Sequence, residues 1–204
     1  MYQFDISYIY RSDTSKEGQQ MYELFILSEL IEKPRNGYNL KNILQKILGV
    51  ERKISFGVIY PQLERLEARG YITTSMDTQD SKRTTKLNTI TPVGEERFAI
   101  LMAEPVPINQ NAQTTYEIKI GSFHLIPVAL QHTIMLAYID FLQTKVQANH
   151  ESITTIRSDK PGMSEPDKAD TIETLELRLV QNQAALQWAQ TKLSKIEAQS
   201  NERN

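Results

Sequence analysis

The sequence predicts a mainly α-helical protein that carries one small β-hairpin. Three observations lead there. Apolar residues recur at helical spacing through most of the 204 positions, and strand-like alternation rich in β-formers flanks a polar turn in residues 71–90. Two polar, proline-bearing stretches, Glu104 to Asn111 and Arg157 to Asp170, interrupt the pattern. Residues 1–104 are therefore expected to form one domain, 105–114 a linker, and 115–204 a second, helical domain. A hydrophobic share of 40% supplies enough side chains for a core and excludes a disordered chain.

The first helix is expected from Ser15 to Ile31. Thr14 and Glu17 have the spacing of a capping box, in which each side chain satisfies the other's free N–H. Tyr22, Leu24, Phe25, Leu27, Leu30 and Ile31 make a broad apolar face, and Lys33 to Gly37 stops it with Pro and Asn-Gly turn chemistry. A second helix fits Tyr38 to Leu48, with Leu40, Ile43, Leu44 and Ile47 inward and Gly49 closing it. A third starts at Ser55 as N-cap, buries Ile59, Leu63 and Leu66, and ends at Gly70. Pro61 conflicts with that helix. Its ring removes a hydrogen bond, so the helix breaks there or kinks, with Gly57 giving room; the pattern does not choose.

After Gly70 the period changes. Tyr71 to Met76 and Thr84 to Ile90 alternate and are rich in β-formers, and Asp77 to Arg83 is a polar tip between them. Thr91-Pro92 opens a fourth helix, Thr as cap and Pro at the first position. Three helices, a hairpin and a helix are the order of a winged helix-turn-helix.

Bulk charge does not select a partner. Residues 1–103 carry 14 basic and 13 acidic side chains, and residues 104–204 carry 9 and 12. A DNA-binding reading must rest on where individual cations sit. No apolar run approaches the roughly 20 residues of a membrane span, and the N-terminus lacks the basic start of a secretory signal. A cytoplasmic protein is expected. Without cysteine there are no disulfides and no thiolate chemistry.

Gly37-Tyr38-Asn39-Leu40, followed by Ser55-Phe56-Gly57-Val58-Ile59-Tyr60-Pro61-Gln62-Leu63 and Leu66-Glu67 to Gly70, resembles the PadR family of bacterial transcriptional regulators. Thr91-Pro92-Val93-Gly94 resembles the start of that family's fourth helix. The resemblance spans residues 15–103 and implies that the third helix continues through Pro61. It also implies a homodimer that binds double-stranded DNA and represses at a pseudo-palindromic operator.

In that reading the third helix enters the major groove. Ser55, Phe56, Val58 and Gln62 are the candidate base readers, because Gln bonds adenine and residues near the helix start reach bases. Arg65 and Lys53, with Arg52, are candidate phosphate contacts, and Tyr38 is a further candidate DNA contact. Tyr60 either donates its hydroxyl to a phosphate or only packs on the second helix. Lys82, Arg83 and Lys86 at the hairpin tip can neutralise phosphates or form an ordinary solvated turn.

Asp170 and Glu173 again have capping spacing, and a helix can run from there to about Ala198. Ile172, Leu175, Leu179, Asn182, Leu186, Ala189, Leu193 and Ile196 alternate by three and four, the seam of a coiled coil. That seam fits a dimer; its alternative is packing within one subunit. Leu177, Val180 and Trp188 lie off the seam, so the helix is expected to pack on two sides. The segment from Thr115 to Ile156 resembles the C-terminal region of the larger PadR-like regulators, including virulence activators. That resemblance implies a small hydrophobic or phenolic effector, for which Phe123, Tyr138, Phe141 and Trp188 are candidate pocket residues, unless they are core.

No phosphate loop, nucleophile elbow or zinc-protease motif is present, and His124, His132 and His150 have no metal-set spacing. An enzyme, a cofactor and a metal are not expected. The competing reading is a winged-helix module whose third helix meets a protein instead of DNA.

Overall fold

The computed structural model describes residues 16–50, 53–77, 85–158 and 162–201. The helices are α1 (Lys16–Glu32), α2 (Gly37–Leu48), α3 (Phe56–Ala68), α4 (Pro92–Ala103), α5 (Ala112–Gly121), α6 (Val128–Arg157) and α7 (Glu165–Asn201). The strands are β1 (Arg35–Asn36), β2 (Ile72–Asp77) and β3 (Thr85–Ile90), in one antiparallel sheet ordered β1-β3-β2. The fold is mainly α with a small wing, as the sequence predicts. Two compact units divide between Ser122 and Phe123.

In the first unit α1 is the centre. Met21, Tyr22, Leu24, Phe25, Ile26, Leu27 and Leu30 are all buried, far more than one face of a helix. A helix apolar all round is one that others surround, and α2, α3, α4 and α5 each pack against α1. Its predicted capping box includes Thr14, which lies outside the described residues.

α2 begins where Asn36 accepts a hydrogen bond from the Asn39 N–H at 2.8 Å. Gln45 then spans the α2–α3 turn. Its Nε2 donates to the Gly49 carbonyl at 2.6 Å, and its Oε1 accepts from the Ile54 N–H at 2.9 Å. α3 continues through Pro61 with Ile59, Gln62, Leu63 and Leu66 buried. It ends on Gly70, whose φ of 73° is left-handed backbone that glycine adopts without strain.

The sequence reads Arg35 and Asn36 as turn, but they pair with Asn88 and Leu87 as a third strand. Two residues are too few to show a period, so only tertiary pairing reveals β1. Buried Asn88 secures it: its Nδ2 donates to the Arg35 carbonyl at 2.9 Å, and its Oδ1 accepts from Thr74 at 3.3 Å. Thr91 closes the wing onto α4, its hydroxyl donating to the Gly70 carbonyl at 2.6 Å and accepting from the Gly94 N–H at 3.1 Å. A Cβ on Gly94 would lie 2.1 Å from the Tyr71 carbonyl oxygen, so this corner admits only glycine.

The expected linker at 105–114 differs from the observed chain. Its last three residues open α5, which packs against α1 and α2 within the first unit. Buried Ala112, Tyr116 and Ile118 hold this segment by packing, and Lys119 ties it to α4. Its buried ammonium donates to the carbonyls of Met102 at 3.0 Å and Glu104 at 2.6 Å, capping the C-terminus of α4. Glu104 also accepts from Gln20 and pairs with Arg97, which in turn bonds buried Glu23 at 2.8 Å. Burial opposes the charge on Arg97, but the hydrogen bond to Glu23 and the charges of Glu23 and Glu104 outweigh it and raise its pKa.

In the second unit α6 and α7 form an antiparallel hairpin. His132 near the start of α6 meets Glu197 at 3.3 Å, and Arg157 at its end meets Glu176 at 2.7 Å. α7 starts at Glu165, six residues before the start that an Asp170–Glu173 cap predicts. Ser164 is the cap instead, accepting from the Asp167 N–H at 3.3 Å, and Pro166 sits in the first turn, where a missing N–H costs nothing.

Burial pushes the Lys119 pKa down to about 8, against the opposing pull of Glu104. The folded protein therefore holds fewer protons than the unfolded chain between about pH 8 and the ordinary lysine range, and folding gains as pH rises through that window. Wild type is expected to gain stability over Lys119→Met from pH 8 to 10, by at most about 1.4 kcal/mol per pH unit, as read by urea unfolding.

Candidate nucleic-acid interface

α2 and α3 form the helix-turn-helix pair, and the start of α3 is its open end. Ser55 takes the N-cap backbone geometry, yet its hydroxyl makes no capping bond and stays available. Phe56 follows, 42% exposed, with Tyr60 at 45% one turn on and Tyr38 of α2 at 58%. Three large rings in solvent on one corner are unusual for a surface with no partner.

The rings are held in order. The Tyr38 and Phe56 centroids are 6.3 Å apart and stacked, and Phe56 and Tyr60 are 5.7 Å apart and tilted, both within the range of attractive aromatic pairs. The Lys41 ammonium lies 5.1 Å from the Phe56 centroid, over the ring. Tyr60 packs on the backbone of Gly37, where a Cβ would come within 2.9 Å of its Cε1. The packing role weighed for Tyr60 is thus present, and its exposure leaves room for a second role.

Of the predicted contacts, Lys53, Ser55, Phe56, Tyr60, Arg65, Tyr38 and Lys86 are exposed, and Val58 is half-buried. Gln62 corrects the sequence reading. It is 8% exposed and shares the inward face with Ile59, Leu63 and Leu66, so it cannot reach a base from there. Spacing from Val58 placed it outward, but the buried arc of α3 is wider than the three apolar positions define. Lys82 and Arg83, with Arg52, lie outside the described residues.

A groove of about 460 Å³ separates α3 from the wing, lined in part by Tyr38, Tyr60, Glu64, Glu67, Thr74 and Lys86. Glu64 and Glu67 follow Tyr60 at helical spacing, and with exposed Arg65 between them in sequence the later turns of α3 are mixed in charge. Carboxylates repel phosphate, and the aromatic start of α3 carries none. Sequence reading missed Glu64, Glu67 and Lys41 as parts of this site. The signals were Lys41 three residues after Tyr38, and the Tyr60, Glu64, Glu67 series.

Residues 26–100 match the family model of the transcriptional regulator PadR-like family, somewhat over a third of the chain. The chain carries a PadR-like domain. The match covers α2, α3, the wing strands and most of α4, so every exposed residue just named lies inside that domain. Among solved structures, the chain is similar to Bacillus subtilis PadR in complex with operator DNA, at 18% identity and a TM-score of 0.40. That match covers 85% of this chain and 96% of the other. The same protein in complex with p-coumaric acid matches at 18% identity and 0.38, covering 90% and 99%. A Streptococcus transcriptional regulator matches at 28% identity and 0.36, covering 41% and 79%. None of the curated proteins matches.

The C-terminal candidates fall differently from the sequence reading. Ala189 and Ile196 are buried, and Ile172, Leu175, Leu179, Asn182, Leu186 and Leu193 are half-buried, within a single chain. The heptad seam is taken by α6 of the same unit, because α7 folds back along it. The exposed apolar positions of α7 are Leu177, Val180 and Trp188. Of the four effector candidates, Phe123 and Tyr138 are core, Phe141 is half-buried and stacked on Tyr138 at 6.3 Å, and Trp188 faces out. They do not line one cavity. No helix among the described residues is long and apolar enough to cross a membrane, and no group of described residues has a metal-binding arrangement.

Gln62→Ala is expected to lower stability by about 1 kcal/mol in urea unfolding and to leave base preference in a random-duplex selection unchanged.

Proposed function

We propose that this chain is a DNA-binding transcriptional repressor that grips a pseudo-palindromic operator as a homodimer. The observation that carries the reading is the open start of α3, with Phe56 and Tyr60 exposed beside Tyr38 and Lys41, on a PadR-like domain. In helix-turn-helix proteins the N-terminal residues of the second helix meet base edges while flanking groups hold the backbone. Ser55, Phe56 and Tyr60 take the first part here. Lys53, Arg65 and Lys86, all exposed, take the second.

A two-fold operator needs two copies of α3, about 34–36 Å apart. Leu177, Val180 and Trp188 support a dimer through α7. They lie at i, i+3 and i+11, one stripe of a helix, and are 61%, 62% and 50% exposed. A second copy of the same stripe is self-complementary, as a two-fold contact requires. The candidate effector residues do not converge: Phe123 and Tyr138 are buried, whereas Trp188 faces out.

The full chain is expected to be retained on duplex DNA with an affinity that falls as salt rises. Lys53→Ala with Lys86→Ala is expected to reduce the log–log salt slope by up to about 1.8. An unchanged slope, or salt-independent retention, points instead to the protein-contact reading of the winged helix. Leu177→Glu with Trp188→Glu is expected to halve the sedimenting mass and to reduce a two-half-site footprint to one. A wild-type chain that sediments as a monomer at micromolar concentration removes the dimer from the account.

A further inference from the structure

We propose that Phe56 is a specificity-determining residue that reads thymine through its 5-methyl group, so that the operator half-site carries thymine under the start of α3. The inference rests on the DNA-binding reading above and goes beyond it by naming the base and the atom recognised.

The argument starts from what Phe56 offers. It has no hydrogen-bonding group, so its ring cannot read a donor or an acceptor on a base edge. In the major groove one feature answers an apolar probe, the C5-methyl of thymine. Phe56 is the first residue of α3, where a recognition helix comes nearest to bases, and 42% of it is exposed.

Its neighbours decide which part of the ring is presented. Tyr38 stacks on it at an interplanar angle of 26°, Tyr60 leans on it at 30°, and Lys41 lies over the ring at 5.1 Å. With Lys41 over one face and two rings crowded against it, the exposed part of Phe56 offers a small apolar surface, which suits a methyl group better than the stacking of an unpaired base. The same contacts hold the ring in place before DNA arrives, so little side-chain freedom is lost on binding. Lys41 adds a cation over the ring, matched to the phosphates that flank the groove. The groove beside α3 carries Glu64 and Glu67 with Lys86, whereas the aromatic corner carries no carboxylate, which favours the corner for the closest approach to bases.

The test uses the full chain and the half-site recovered by selection from random duplex DNA. Each thymine of that site is replaced singly by deoxyuridine, which removes only the methyl group. Wild type is expected to lose about fourfold in affinity at one or two positions, the worth of one buried methyl. Phe56→Ala is expected to bind more weakly and to treat thymine and deoxyuridine alike, whereas Phe56→Leu, which keeps an apolar end, retains part of the discrimination. Because Phe56 is exposed, both variants keep the fold, and unfolding curves check this. Sequence-selective binding that tolerates deoxyuridine at every position overturns the inference and leaves the DNA-binding reading standing. Tighter binding to single strands than to duplex also overturns it. A chain that binds no duplex overturns both.

Discussion

The bare backbone of Gly37 meets the ring of Tyr60, and most of the interface follows from that contact. With no Cβ at position 37, the first turn of α2 can sit against the ring of Tyr60, which a side chain would crowd at 2.9 Å. Tyr60 then fixes the tilt of Phe56, Phe56 stacks on Tyr38, and Lys41 rests over the set. Each aromatic pair adds only about 0.5–1.5 kcal/mol. Together they keep three large rings in fixed orientation on an exposed corner, where isolated side chains would sample many rotamers.

The wing is tied to the same corner from the other side. Asn36 caps α2 through its side chain and belongs to β1, while buried Asn88 of β3 bonds the carbonyl of neighbouring Arg35. The start of α2 and the wing therefore share two consecutive residues, Arg35 and Asn36. That arrangement places Lys86 and the acidic side of α3 along one groove. The start of α3 is thus aromatic, with its nearest cation supplied by Lys41 of α2, whereas the turns beyond Tyr60 carry Glu64 and Glu67 together with Arg65.

α7 shows how one helix serves two demands. Its three-four seam lies against α6, with Ala189 allowing close approach and Ile196 buried beyond it. The opposite stripe of Leu177, Val180 and Trp188 remains open. A seam of this spacing states that a helix packs along another helix; it does not state whether that partner belongs to the same chain. The loop after α6 is short enough to return the chain onto itself, and a folded-back neighbour is always at higher effective concentration than a second copy.

The sequence by itself determined the winged order of elements, the cap at Thr91, the start of α3 at Ser55, and the aromatic character of that start. These depend on local periodicity and on backbone chemistry within a few residues, which a linear reading can follow. Continuation through Pro61 was legible only from resemblance to a family, since propensity argued for a break. The tertiary structure alone decided that Gln62 faces inward, that Arg35 and Asn36 form a strand, and that α5 joins the first unit through Lys119. It also decided that the α7 seam is filled by α6. Each of these depends on what lies across from the residue in space: a burial arc, a hydrogen-bonded neighbour, a pair of carbonyls, a returning helix. Spacing along a chain carries no record of them.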